Sequence, residues 1–115
     1  MQVNSGLRSL VVSGDHVGVA AVLCEGADPD MLIPWQFPEA FGGKLYIVPV
    51  IMVASCQGHI KIVSTLLGVN ANVEARGDFH YTALHTAAVM GNYEVADILL
   101  TNGADINSKD SQFGK

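Results

Sequence analysis

Two stretches of this chain lie over one another without a gap. YTALHTAAVMGNYEVADILLTNGADIN, residues 81–107, aligns with VPVIMVASCQGHIKIVSTLLGVNANVE, residues 48–74. Gly58 and Gly91 are 33 residues apart, as are Ala71 and Ala104 and the pairs Leu66–Leu67 and Leu99–Leu100. A fixed period of this length forces one supersecondary unit to recur and stack, which excludes most folds at once. An earlier copy stands in LRSLVVSGDHVGVAAVLCEGADPD, residues 7–30, where Gly14 precedes Gly58 and Ala27 precedes Ala71 by 44. That is one period plus eleven, so eleven extra residues fall between Asp30 and Pro49.

Each copy carries two short helical patterns. In the third, Ala83 to Met90 and Tyr93 to Asn102 are expected helices, and Val95, Ile98 and Leu99 recur at the spacing of one apolar stripe. Val63, Leu66 and Leu67 repeat that stripe in the second copy, and the small Ala87 and Ala88 allow neighbouring helices to approach closely. Gly58 and Gly91 end the first helices, Gly26 and Gly103 the second, at positions where a left-handed residue costs glycine little. One unit alone cannot bury its stripe, but stacked units can, and about three are needed.

These residues resemble the ankyrin repeat, whose period is about 33 and whose signature is Thr-Pro-Leu-His-x-Ala. The third copy keeps most of it as Thr82-Ala83-Leu84-His85-Thr86-Ala87-Ala88, followed by Gly91-Asn92 and Gly103-Ala104-Asp105-Ile106-Asn107. The second keeps Ala54, Gly58-His59 and Ile62-Val63, but has Pro49-Val50-Ile51-Met52 in place of Thr-Pro-Leu-His. The first is recognised by Gly14-Asp15 and Gly26-Ala27-Asp28-Pro29.

The resemblance implies an all-α solenoid of stacked helix-turn-helix units joined by β-hairpin loops. One domain is expected, with repeat 1 at about 5–30, an insertion at about 31–48, repeat 2 at about 49–74, repeat 3 at about 78–107 and a tail at 108–115. The resemblance also implies a structural His85, hydrogen-bonded between neighbouring hairpins with help from Thr82, and a structural His59. No polar capping helix follows Asn107, so an apolar face on the third copy is expected to be covered by a further repeat, another domain or a second chain.

Proteins of this family bind other proteins through a concave face of hairpin tips and first helices. Carried over by position, that face falls on Asp78, Phe79, Tyr81, Val89 and Met90 in the third copy, and on Val48, Cys56 and Gln57 in the second. Two readings stay open here: Phe79 and Tyr81 near Met90 form an aromatic and sulfur patch of the kind enriched at binding hot spots, or Tyr81 packs on the neighbouring hairpin. Gly77 and Glu74 stand where Asp and Asn are usual in this hairpin, and His80 stands where Gly is usual. His80 is expected to be exposed, as a strained turn residue or a contact.

Composition narrows the remaining choices. Half of the 115 residues are apolar, 15% are charged, and the net charge is −5. No cluster of Lys and Arg marks a phosphate backbone as partner. The longest apolar run, Leu45 to Ala54, contains Pro49 and is too short to span a membrane. MQVNSGLRSL lacks the apolar core of a secretion signal, so a cytoplasmic, or also nuclear, protein is expected. Cys24 and Cys56 lack zinc-ligand spacing and read as buried free thiols. No nucleophilic triad, metal set, phosphate loop or cofactor fingerprint emerges, because each candidate residue already serves the repeat. The expected function is partner-protein recognition. The alternative is a regulatory or substrate-recruiting segment of a larger enzyme, such as a ubiquitin ligase or kinase.

The insertion, MLIPWQFPEAFGGKLYIV, remains the most individual stretch. Pro34 and Pro38 disfavour a long helix, and Lys44 to Val48 suit one side of an extended hairpin. Three readings stay open. It projects Trp35, Phe37, Phe41 and Tyr46 toward a partner, it folds back over the first two copies, or it is a poorly ordered loop.

Overall fold

The computed structural model describes residues 3–105, with side chains from residue 6 onward. The last residues of the expected third repeat, 106–107, and the tail 108–115 lie outside the described residues.

Among the described residues six helices pair in sequence order. α1 (Val3–Ser13) packs on α2 (His16–Cys24), α3 (Val50–Gln57) on α4 (Ile60–Gly68), and α5 (Ala83–Val89) on α6 (Tyr93–Thr101). The first helices stack as α1–α3–α5 and the second as α2–α4–α6. This two-layer stack is an ankyrin solenoid, and the helix bounds in the third repeat fall within a residue of those expected. The apolar stripes make the layers cohere: Val63, Leu66 and Leu67 on α4, and Val95 and Leu99 on α6, are all buried.

Side-chain-to-backbone hydrogen bonds between repeats fix the spacing. Asn92, at the start of α6, donates from Nδ2 to the Ser55 and Cys56 carbonyls at 2.8 and 3.1 Å, capping the end of α3. Gln57 donates to the Val12 carbonyl at 3.2 Å, doing the same for α1. At the far edge Asp30 accepts from the Asn72 amide and Glu74 from the Asp105 amide, so each repeat's closing acid holds the next repeat's turn.

The insertion is an ordered antiparallel hairpin. β1 (Leu32–Gln36) pairs with β2 (Leu45–Pro49) in a register that sets Ile33 against Val48 and Trp35 against Tyr46. A single 3₁₀ turn, Glu39–Phe41, closes the tip, followed by Gly42 and Gly43 at positive φ. Alternation does the rest: Ile33, Phe37 and Val48 are buried, while Leu32, Pro34 and Leu45 are exposed. Both strands pack on α3. The hairpin therefore folds back, but over the second and third repeats rather than over the first two.

The third repeat's hairpin loop, residues 75–81, docks on the free edge of β2, where the Asp78 amide donates to the Ile47 carbonyl at 2.8 Å. This contact explains Gly77. Its φ is +61°, and a Cβ there would sit 2.2 Å from the Ile47 oxygen. Only glycine fits both the turn and the strand beside it. His80 has an ordinary φ and is half-buried, so it is neither a strained turn residue nor fully exposed.

Candidate protein-interaction surface

The concave face differs between repeats because of the inserted hairpin. On α5, His85, Ala88 and Val89 point away from the core, and Val89 is 56% exposed. One period earlier, on α3, the same positions hold Met52, Ser55 and Cys56, which are 0, 0 and 4% exposed. The hairpin covers them. This also accounts for the loss of the signature tetrapeptide in the second repeat: the position of His85 is taken by Met52, an apolar side chain suited to an apolar cover.

The sequence-predicted contact residues divide accordingly. Cys56 lies beneath the hairpin and is not available to a partner, which corrects its expected role. Burial pushes its thiol pKa up, and the Trp35 indole beside it offsets this in part. Trp35 therefore faces the stack, with its Nε1 buried. Gln57 is exposed but bonded to the Val12 carbonyl, so its side chain serves the stack. Cys24 is exposed rather than buried, and both thiols are free.

Phe37 and Phe79 are likewise corrected from contact to core, at 2 and 3% exposure. Their rings stack with centroids 4.1 Å apart and planes 15° from parallel. Phe41 meets both edge-on, at 5.4 and 5.6 Å, and Tyr46 packs 5.8 Å from Phe37 and 4.9 Å from Phe79. Such a cluster adds to area burial through its favourable ring geometry. It fastens the inserted hairpin to the third repeat's loop. The chain continues outward through Tyr81, whose ring is 5.7 Å from Phe79 and 5.5 Å from His85.

What stays open is a groove of about 290 Å³ lined by Ala40 and Phe41 on the hairpin tip, Tyr81, and His85, Ala88 and Val89 on α5. Its lining is mostly apolar. Met90 is half-buried at its end of α5, and Asp78 is exposed on the loop outside the lining. Among the described residues no hydrogen bond joins His85 to a neighbouring hairpin. Its Nδ1 lies 3.0 Å from the Thr82 hydroxyl of its own repeat, and the adjacent hairpin meets this repeat through Phe37 and Ile47 instead. Sequence reasoning placed the insertion and α5 separately. It named Phe41, Tyr81 and Val89 as contacts but missed Ala40, His85 and Ala88 as part of one surface with them, because nothing in the spacing shows that the tip leans across to the third repeat.

Among the described residues no group of three or more His, Cys, Asp or Glu could hold a metal ion. No helix there is long and apolar enough to cross a membrane. Among the described residues, the large apolar side chains exposed on the third repeat are Tyr81, Val89, Tyr93 and Leu100.

The stacked helix pairs, intervening hairpins and recurring glycine-ended turns define a repeat solenoid of the protein-interaction class. A family profile of ankyrin repeats, in three copies, matches residues 18–110, and the chain belongs to that family. It is 42% identical over 62 residues to an ankyrin repeat and KH domain-containing protein of Caenorhabditis briggsae, covering 54% of this chain and 2% of that protein. It is 46% identical over 55 residues to the human ankyrin repeat and KH domain-containing protein 1, covering 48% of this chain and 2% of that one. Human transient receptor potential cation channel subfamily A member 1 is 37% identical over 62 residues, covering 54% of this chain and 5% of the channel subunit. The chain thus spans only a few per cent of the length of these relatives. Ankyrin repeats are in general modules that bind proteins.

Proposed function

We propose that this chain recognises a partner protein through the groove between the inserted hairpin tip and α5, and that it carries out no chemistry itself. The observation that supports this is the asymmetry of the concave face. The hairpin closes that face over the second repeat and leaves Phe41, Tyr81, Ala88 and Val89 open over the third. The aromatic cluster holds both walls of the groove before any partner arrives, which limits the ordering cost of binding. A partner inserts an apolar side chain there, and Tyr81 and Phe41 supply the aromatic contacts typical of hot spots. The groove is complete within one chain, so the same reading holds for a recruiting segment of a larger protein.

The test compares Val89→Arg, which fills the groove, with Val17→Arg, an exposed position on the first turn of α2. Both variants keep the wild-type fold by circular dichroism. In cross-linking from cells, the partners of the wild-type chain are lost with Val89→Arg and kept with Val17→Arg. Equal retention by both variants would rule out the groove.

A further inference from the structure

We propose that the turn edge of the stack is a second recognition surface, which takes an extended partner segment carrying a Lys or Arg side chain and, about three residues away, an Asp or Glu.

The hairpins join one repeat to the next at one end of the helix pairs, and the turns from α1 to α2, α3 to α4 and α5 to α6 lie at the other. Each turn begins with a glycine at positive φ, Gly14, Gly58 or Gly91, and a cleft lies between each neighbouring pair of turns. The cleft between the second and third repeats has a volume of about 310 Å³, and that between the first and second about 200 Å³. Described residues bound both clefts on either side, and Ile60 is the wall they share.

The two clefts are equivalent by the 33-residue period but opposite in charge. In the larger, Glu94 is the one charged side chain, set beside Tyr93 among Ile60 and Val95, and no Lys, Arg or His lines it. Tyr93, 71% exposed, is the most exposed large apolar side chain among the described residues. One period earlier stand Ile60 in place of Tyr93 and Lys61 in place of Glu94. The smaller cleft accordingly has Lys61, His16 and His59 in its lining and no Asp or Glu. Asp15 is turned to α2, where its carboxylate accepts from the Gly18 amide. Lys61 and Glu94 are both exposed, and among the described residues no ion pair joins them.

Helix stability does not select this pattern. An acid in the first turn of α6 suits the helix dipole, but a lysine in the first turn of α4 opposes it, and neither effect calls for an exposed ring beside the acid. The larger cleft fits a long basic side chain, whose stem lies on Ile60 and whose head meets the Tyr93 ring and the Glu94 carboxylate. A second base on the same segment would be repelled at Lys61, and an acid there is attracted. Stacked helices stand about 8–10 Å apart and an extended chain rises about 3.3 Å per residue, which sets the spacing of base and acid. Two exposed charge pairs make a weak contact, which strengthens the hold on a partner already seated in the groove rather than capturing one alone.

The experiment titrates short synthetic peptides into the isotope-labelled intact chain and follows amide shifts by NMR. One peptide carries Arg and Glu three positions apart around a leucine, and two others carry Arg at both positions or Glu at both. The mixed peptide is expected to bind about threefold or more tighter than either like-charged one, with shifts centred on Ile60, Lys61, Tyr93 and Glu94. Glu94→Lys moves the preference to the peptide with two Glu, and Lys61→Glu moves it to the peptide with two Arg. Both positions are exposed, and the same spectra show that the fold is kept. Val89→Arg binds as the wild-type chain does. Equal binding of all three peptides, or a preference unchanged by both reversals, would overturn the proposal. Shifts centred on the groove, or loss of binding in Val89→Arg, would also overturn it while supporting the groove. No shift at about 1 mM peptide would remove the turn edge as a site and leave the groove reading untouched.

Discussion

Phe79 and Gly77 show how single residues adapt this repeat to its inserted neighbour. Phe79 contacts Phe37, Phe41, Tyr46 and Tyr81, so truncating it opens a cavity at the joint between the two hairpins. Phe79→Ala is expected to lower stability by about 3 kcal/mol in urea denaturation, as for other buried aromatics. A loss below about 1 kcal/mol would mean the cluster does not hold the hairpin. Gly77→Ala places a Cβ against the Ile47 carbonyl at a positive φ, and it is expected to cost at least about 1 kcal/mol. The same substitution at Gly26, also at positive φ but with nothing within 4 Å, bears the backbone penalty alone and costs less. Gly77 was visible in the sequence only as a departure from the family's Asp. Its reason lies in a strand 30 residues earlier, which no local pattern reports.

Among the elements, the hairpin is where sequence and structure part most. The six helices were legible because stripe, glycine and period all agree, and the third repeat's bounds came within a residue. The second strand was legible too, in Lys44 to Val48. The direction of the hairpin was not, because the aromatic load of residues 35–46 suits a partner as well as a core. Long-range packing of Phe37 on Phe79 decides it. The hairpin also has an open edge. The Phe37 amide bonds to Lys44 and the Val50 amide to Met31, so the odd positions of β1 face β2 and the even ones face outward. Pro34 sits at the centre of that outward set, flanked by the exposed Leu32 and Gln36, and removes the middle donor from an edge that could recruit another strand. Pro34→Val is accordingly expected to raise self-association, read by light scattering across a concentration series. An unchanged mass would show that the edge is closed by other means.

At the scale of the molecule, an insertion has converted a uniform concave surface into one that is covered over the second repeat and open over the third. Met52, Ser55 and Cys56 lie beneath the cover, and His85, Ala88 and Val89 beside it. Trp35 reports on the same state: its emission in the free protein is expected to be blue-shifted and protected from aqueous quenchers, since its indole nitrogen is buried. The two free cysteines give the most direct test, because Cys24 is exposed and Cys56 lies under the hairpin with its pKa raised by burial. Their alkylation in the folded protein is followed site by site by mass spectrometry. Cys24 is expected to label at the rate of an open thiol, and Cys56 only under conditions that unfold the chain or detach the hairpin. Equal labelling of both under native conditions would contradict the covered concave face on which this account rests.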